Sequence, residues 1–286
     1  MRDYLVLTKP VIVLLILVTA IPAVLMASRE QLDVIVLIAA ALGVMLAAAS
    51  ASVFNHLLEA DLDQRMYRTR SRPLARGTIS KSAACMFATA LGIASVLMLL
   101  WQTTLVAALL AVVAILFYAL LYTLVLKPNT PQNIVIGGAA GAVGPLIGWA
   151  AVTGGLSWSA WLLFLLIFLW TPPHFWALAI HYRRDYKHAD VPMYPTVHGV
   201  AKTKRMIFLY VLAILPVLLC FNLVSDTSQW FFAISMVVSL YFLYKSWSFL
   251  RSNKQNDLSL FHFSCIYVLL LFSGISIDQL LMVWLQ

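Results

Sequence analysis

An all-α, polytopic membrane protein, built as a bundle of nine transmembrane helices, is the fold class this sequence predicts. Two observations carry the prediction. The chain has 286 residues, of which 63% are hydrophobic and only 10% charged, and its mean hydropathy is +0.92. A soluble domain carries about 25% charged residues. The apolar residues also fall in runs long enough to cross a hydrocarbon core, which takes about 20 helical residues. Nine such runs are predicted, at 10–27, 34–54, 82–101, 104–126, 132–152, 157–180, 206–224, 230–250 and 259–280.

The first run follows Lys9 directly and is longer than the apolar core of a typical signal peptide, and equally apolar runs follow it. It is therefore predicted as a span, which favours a bacterial inner-membrane protein. Short turns separate most spans: Ser28-Arg29-Glu30, Pro128-Asn129-Thr130-Pro131, Thr153-Gly154-Gly155 and Ser252-Asn253-Lys254. Only two connections are long and polar, around 55–81 and 181–205. With the N-terminus placed in the cytoplasm, all 19 lysines and arginines except Arg29 fall on that side. That is the positive-inside bias. It puts both polar loops in the cytoplasm and the C-terminus in the periplasm.

Because four spans separate the two loops, the chain is expected to form a single integral-membrane domain over 1–286, with two four-helix halves plus a ninth helix. The net charge of +8 needs no nucleic-acid partner, since orientation in the lipid bilayer and an anionic inner leaflet account for it. Cys85, Cys220 and Cys265 lie far apart without a CxxC pair, so neither zinc nor a disulfide framework is implied.

The first polar loop begins "NHLLEADLDQRMYRTRSRPL", Asn55 to Leu74. Orientation explains its arginines but not its acids. Asn55, Glu59 and Asp63 stand at i, i+4 and i+8, so on a helix they drift by about 40° per step and share one face. Asp61 points elsewhere. Two carboxylates and an amide at the end of a bundle form an oxygen set suited to Mg²⁺, which commonly takes one or two carboxylates plus substrate phosphates. Arg68 and Arg72 stand close enough in sequence to grip further phosphate oxygens. The competing reading is a solvated loop whose acids and arginines pair with each other.

Asn55-x3-Glu59-x3-Asp63, followed by Arg68-Thr69 and Arg72-Pro73-Leu74, resembles the first aspartate-rich motif of the UbiA superfamily of intramembrane prenyltransferases. The superfamily usually shows N-x3-D-x3-D, and Glu59 replaces its first aspartate with another carboxylate. The resemblance implies a nine-helix bundle around a central cavity open to the cytoplasmic side, with Mg²⁺ holding an isoprenyl diphosphate. The second motif, D-x3-D, should follow the sixth span. There the chain has His181-x3-Asp185, and Asp190 five residues on. Asp185 is the candidate for a second metal, with Asp190 as a helper.

His174, His181 and Asp185 are spaced i, i+7 and i+11, which on one helix puts them within about 20° of a line. Pro172 and Pro173 on the same span remove amide hydrogens and are expected to bend it. An intramembrane histidine has three readings: a ligand to haem iron, a base, or a hydrogen-bond partner between helices. The surrounding words narrow the resemblance. "TPPHFWALAIHYRRDY" with "DVPMYP", and "QNIVIGGAAGAVGPLIGWAAVTG" at 132–154, resemble the protohaem IX farnesyltransferase branch of the superfamily. The likeness starts at Leu7-Thr8-Lys9-Pro10 and is weakest after about residue 205. Gly144 stands where the branch usually has a second proline, and Pro128 where a basic residue is common.

That branch implies transfer of a farnesyl group from farnesyl diphosphate to the 2-vinyl group of haem B, with water addition, giving haem O. On this reading Asn55, Glu59, Asp63 and Asp185 are the catalytic metal-holding residues, with Asp190 a further metal ligand. Arg68, Arg72 and Lys127 bind diphosphate, though Lys127 serves equally as an orientation anchor. His174 and His181 contact haem. Haem A synthase or a terminal oxidase would be the protein neighbours.

Rival readings remain open. One is prenyl transfer to another acceptor, such as an aromatic quinone precursor. A transporter would place its ionisable residues nearer mid-membrane. A haem-bearing electron carrier needs histidines from two helices, for which His262 is the second. Glycines 137, 138, 141, 144 and 148 are expected to let the fifth span approach its neighbours, and Trp101, Trp158 and Trp230 to anchor at interfaces.

Overall fold

A computed structural model describes residues 2–28, 31–253 and 258–284. Arg29 and Lys254, both used above for orientation, lie outside the described residues. Among the described residues, nine helices are long and apolar enough to cross a membrane: Pro10–Ser28, Val34–Leu58, Lys81–Gln102, Leu105–Asn129, Asn133–Thr153, Trp158–His181, Val200–Val224, Gln229–Arg251 and Ser259–Met282. They coincide with the nine expected spans. The main differences lie where the polar loops join: the second span runs on to Leu58 and the seventh begins at Val200. Polar residues at those ends lower the local hydropathy without breaking the helix.

Each span packs against the next in sequence, and the ninth returns to the first, so the spans close into a ring. Further contacts cross within it: first span to fifth, second to fourth and fifth, and sixth to ninth. The helix starts are capped from sequence: Asp33, Ser80, Thr104, Ser157 and Ser228 each accept a backbone N–H of the following turn. At the end away from the polar loops, Asp278 of the ninth span is fully buried and accepts the N–H (3.1 Å) and hydroxyl of Ser228, tying down the start of the eighth.

Close approach explains two of the glycines. A Cβ on Gly148 would stand 2.6 Å from the carbonyl oxygen of Ala20, so the first and fifth spans approach backbone to backbone there. A Cβ on Gly137 would stand 2.2 Å from the ring of Tyr122. Gly141, by contrast, has no neighbour within 4 Å of that position and does not serve packing.

Three irregularities shape the polar end. The fourth span changes from α to π geometry over Phe117–Leu126 before a last α turn, Lys127–Asn129. The fifth breaks at Val143, between helices Asn133–Ala142 and Gly144–Thr153, where Pro145 cannot donate an N–H. A short helix, Arg2–Leu7, precedes the first span, and Lys9 between them holds a left-handed φ of 53°. A residue other than glycine in that region marks local strain. The sixth span runs unbroken through Pro172 and Pro173.

Candidate active site

The second span ends at Leu58, and a short helix, Ala60–Arg65, continues from it. Glu59 is the joint, with φ −97° and ψ 4°. The i to i+4 bonding nevertheless carries through, Glu59 N–H to Asn55 O at 3.0 Å and Asp63 N–H to Glu59 O at 2.8 Å. Asn55, Glu59 and Asp63 therefore keep the shared face that their spacing implied, and they are only 2%, 4% and 2% exposed. Asp61 points away: its side chain is 79% exposed and pairs with Lys81 at 3.1 Å.

Every member of the trio meets a cation from a different part of the chain. Lys9 Nζ donates to Asn55 Oδ1 at 2.6 Å. Lys127 Nζ donates to Glu59 Oε1 at 2.5 Å. Arg72 Nη1 stands 2.9 Å from both oxygens of Asp63. The π segment contributes as well, since Asn55 Nδ2 donates to Thr123 Oγ1 at 3.0 Å while Thr123 donates to Tyr118 O at 2.8 Å. An α turn in that place would aim a different side chain at Asn55, and a π segment inside a helix commonly marks a functional site.

Burial brings the Lys9 ammonium down to about 7, with Glu59 opposing and Arg72 and Lys127 adding to the shift. Burial pushes the Glu59 carboxyl up, but Lys127 and Lys9 outweigh it and the net shift is downward. The cluster is thus a buried alternation of charge in which the cations around Glu59 favour its ionised form.

The second polar loop closes over the first. The sixth span stops at His181, Tyr182 leaves helical geometry (φ −92°, ψ 18°), and Arg183–His188 forms a separate short helix. The i to i+4 bonding carries through Tyr182 as it does through Glu59, Tyr182 N–H to Leu178 O and Tyr186 N–H to Tyr182 O at 3.1 Å each, so what ends the stripe expected from His174 through His181 to Asp185 is the partner that Asp185 takes. Asp185 instead accepts two backbone amides of the first loop, Tyr67 N–H at 2.7 Å and Arg68 N–H at 3.2 Å. Arg68 lies over the Tyr182 ring, 5.2 Å from its centre, and donates to the Tyr186 hydroxyl at 3.3 Å. Asp190 is exposed and holds a left-handed φ of 54°, ending the short helix.

His174 lies deeper, 8% exposed, stacked between Trp170 and Phe261 with ring centres 4.4 and 4.6 Å away. Its Nδ1 is 2.8 Å from Ser264 Oγ. That hydroxyl donates its own proton to Phe261 O at 2.6 Å, so Nδ1 carries the hydrogen and Nε2 keeps its lone pair. His181 is half-buried, and its Nδ1 has no hydrogen-bond partner among the described residues. His262 is exposed, its ring centre 5.5 Å from that of Phe261.

The model of the UbiA prenyltransferase family matches residues 16–270, nearly the whole chain. The chain belongs to that family. Protoheme IX farnesyltransferase of Gloeobacter violaceus is 46% identical over 283 residues, covering 98% of this chain and 92% of the relative. The enzyme of that name from Azotobacter vinelandii is 43% identical, covering 98% and 94%. Among solved structures, digeranylgeranylglyceryl phosphate synthase superposes with a TM-score of 0.80 at 20% identity, over 97% of this chain and 98% of that one. A UbiA homolog from Archaeoglobus fulgidus bound to GPP and Mg²⁺ gives 0.72 at 16% identity, over 96% and 99%. At those identities the structural likeness speaks for the fold.

Among the site residues of this UbiA-family chain, sequence reasoning missed Lys9, Tyr118, Thr123 and Ser264. The positive-inside bias alone accounts for Lys9 in the sequence, yet its place directly before Pro10 at the mouth of the first span is a usable signal. Nothing local in "FYALLYTLVL" distinguishes a π segment from an α helix.

Proposed function

We propose that this chain transfers a farnesyl group from farnesyl diphosphate to the 2-vinyl group of haem B, with addition of water, giving haem O. The observation that carries the reading is full-length similarity, at 42–46% identity, to relatives named protoheme IX farnesyltransferase. The buried acid–cation cluster supports it, because a diphosphate needs both a metal and positive side chains.

The donor set fits Mg²⁺. Asn55, Glu59 and Asp63 supply hard oxygen atoms from one buried face at the end of the second span. Two carboxylates and an amide leave positions for phosphate oxygens and water, the coordination magnesium ordinarily accepts. When bound, the metal would neutralise charge on the diphosphate as it leaves. Asp185 keeps one lone pair on each oxygen beyond its two amide bonds and is the candidate for a second metal, with Asp190 a more remote one.

The chain's own cations do the rest. Arg72 and Lys127, now paired with Asp63 and Glu59, turn toward phosphate oxygens when the carboxylates take the metal, and Arg68 and Lys9 complete the grip. Cleavage of the carbon–oxygen bond releases diphosphate and an allylic cation. The electron-rich vinyl carbon of haem attacks it, and the new cation beside the porphyrin is captured by water, which loses a proton to give the hydroxyethylfarnesyl arm. His174, with Nε2 lone pair outward, is the candidate for haem iron, and His181 for a contact nearer the polar end. The distribution of lysine and arginine supports a topology with the N-terminus and both polar loops in the cytoplasm and the protein in a bacterial inner membrane.

The test is direct. Purified protein is incubated with haem B, farnesyl diphosphate and Mg²⁺, and the pigment is analysed by mass spectrometry. Farnesylated, hydrated haem supports the proposal. Absence of product beside an active-membrane control rejects it, and product from a quinone precursor alone would move the assignment to another acceptor.

A further inference from the structure

One buried group beside the trio has no role so far. His56 is 2% exposed, and neither Nδ1 nor Nε2 meets a hydrogen-bond partner among the described residues. An imidazole always carries at least one N–H, and burying a donor unmet costs the full desolvation of that group.

Its place in the helix says what it faces. At 100° per residue, Asn55, Glu59, Ser52, Asp63 and His56 fall in one arc of about 100°. Val53 and Ala60, on the other side, pack in the apolar cluster with Leu7, Leu74 and Ala84, and Leu57 packs against it. His56 therefore lies on the edge of the trio's face, nearest the column of Asp63. Lys9, Arg72 and Lys127 are the charged groups whose fields act on its ring. All three are donors already engaged with Asn55, Asp63 and Glu59. Those cations are themselves donors and offer the His56 N–H no acceptor, and an anion held by the same cations would supply one.

We propose that His56 is a further substrate-binding residue, which donates a ring N–H to an oxygen of the diphosphate gripped by Lys9, Arg72 and Lys127. The inference rests on the proposed function for the identity of the diphosphate as a prenyl ester. It makes His56 part of the phosphate subsite and leaves it no part in haem recognition.

The experiment uses the full chain in lipid nanodiscs. Calorimetry measures binding of magnesium pyrophosphate, and turnover gives KM for farnesyl diphosphate and for haem B. Removing one hydrogen bond to a charged acceptor should weaken pyrophosphate binding about tenfold in His56→Leu. KM for farnesyl diphosphate should rise in parallel and KM for haem B stay within about twofold. His56→Gln, which restores an N–H donor, should recover most of the loss. If His56→Leu does not accumulate as folded protein, His56→Phe, closer in shape to the ring, carries the same expectation. Pyrophosphate affinity equal to the unmodified chain in the folded variant overturns the proposal, since the ring would then be served by water alone. Were the unmodified chain to bind pyrophosphate in a His56-dependent way yet form no prenylated haem, the reaction assignment would fall and the diphosphate contact would stand.

Discussion

The two polar loops are alike in carrying aspartates at the mouth of the bundle and unlike in what those aspartates hold. Asp63 of the first loop accepts both its bonds from one arginine side chain, Arg72. Asp185 of the second accepts from the main chain, at Tyr67 and Arg68. A guanidinium on a flexible stem can leave a carboxylate and follow a phosphate. A backbone amide cannot do so unless the loop refolds. The same residue type is exchangeable in one place and fixed in the other, so the first loop is built to change partners and the second to hold the first in position.

The comparison breaks first, and hardest, at Asp63. Asp63→Asn keeps an acceptor for Arg72 but removes the charge that would attract a metal. It should lower kcat/KM for farnesyl diphosphate by about 10²- to 10³-fold and also lower the melting temperature, because Arg72 loses its charged partner, as turnover and thermal unfolding would show. Retention of more than a tenth of the activity would mean that Asp63 is merely the structural partner of Arg72.

Lys127 sharpens the same point. Removing one side of a buried ion pair leaves the other uncompensated, so Lys127→Met should lower both the melting temperature and turnover, the latter about 10²-fold. Adding Glu59→Gln should restore the melting temperature without restoring turnover. Recovery of both would reduce the pair to an internal anchor and remove Lys127 from the diphosphate site.

These partners show how far the sequence could be read. All nine spans were legible because a membrane demands long apolar runs, and the face shared by Asn55, Glu59 and Asp63 followed from helical spacing alone. That Arg72 reaches Asp63 was within range of the same loop. Lys9 to Asn55 and Lys127 to Glu59 were not legible, since they join residues 46 and 68 positions apart through contacts between different spans. The π turn that aims Thr123 at Asn55 has no composition of its own. The stripe from His174 to Asp185 was incomplete for a similar reason: Asp185 turns to the amides of Tyr67 and Arg68, a contact between the two loops that helical spacing does not show.

Asp185 gives an intermediate effect of a different kind. Asp185→Asn turns one acceptor into an NH₂ group facing an N–H, so one of the two amide bonds is lost. The loop from Arg65 to Arg76 should become several-fold more sensitive to trypsin, and turnover should fall about tenfold, partly recovered by more farnesyl diphosphate. The Mg²⁺ concentration for half-maximal rate separates the two roles proposed for Asp185: a change within about twofold leaves it an anchor of the loop alone. A large rise in that concentration, matching Asp63→Asn, would place Asp185 on a metal and erase the difference between the loops.

The smallest effect belongs to Asp61, two residues from Asp63 and in the same acidic run. Its pairing with Lys81 is fully on the surface, with both side chains more than half exposed, and exposed ion pairs contribute little once water and salt screen them. Asp61→Asn should change kcat, both KM values and the melting temperature by no more than the scatter of the assays, at most about twofold in any rate. Asp61 also retains its negative charge at the bundle mouth, so it is a direct control for long-range electrostatics. If its loss costs as much as the loss of Asp63, the run works as a diffuse negative field and its helical register is immaterial. If it costs nothing, the i, i+4, i+8 register and the burial it brings are what separate a metal-holding acid from a solvated one.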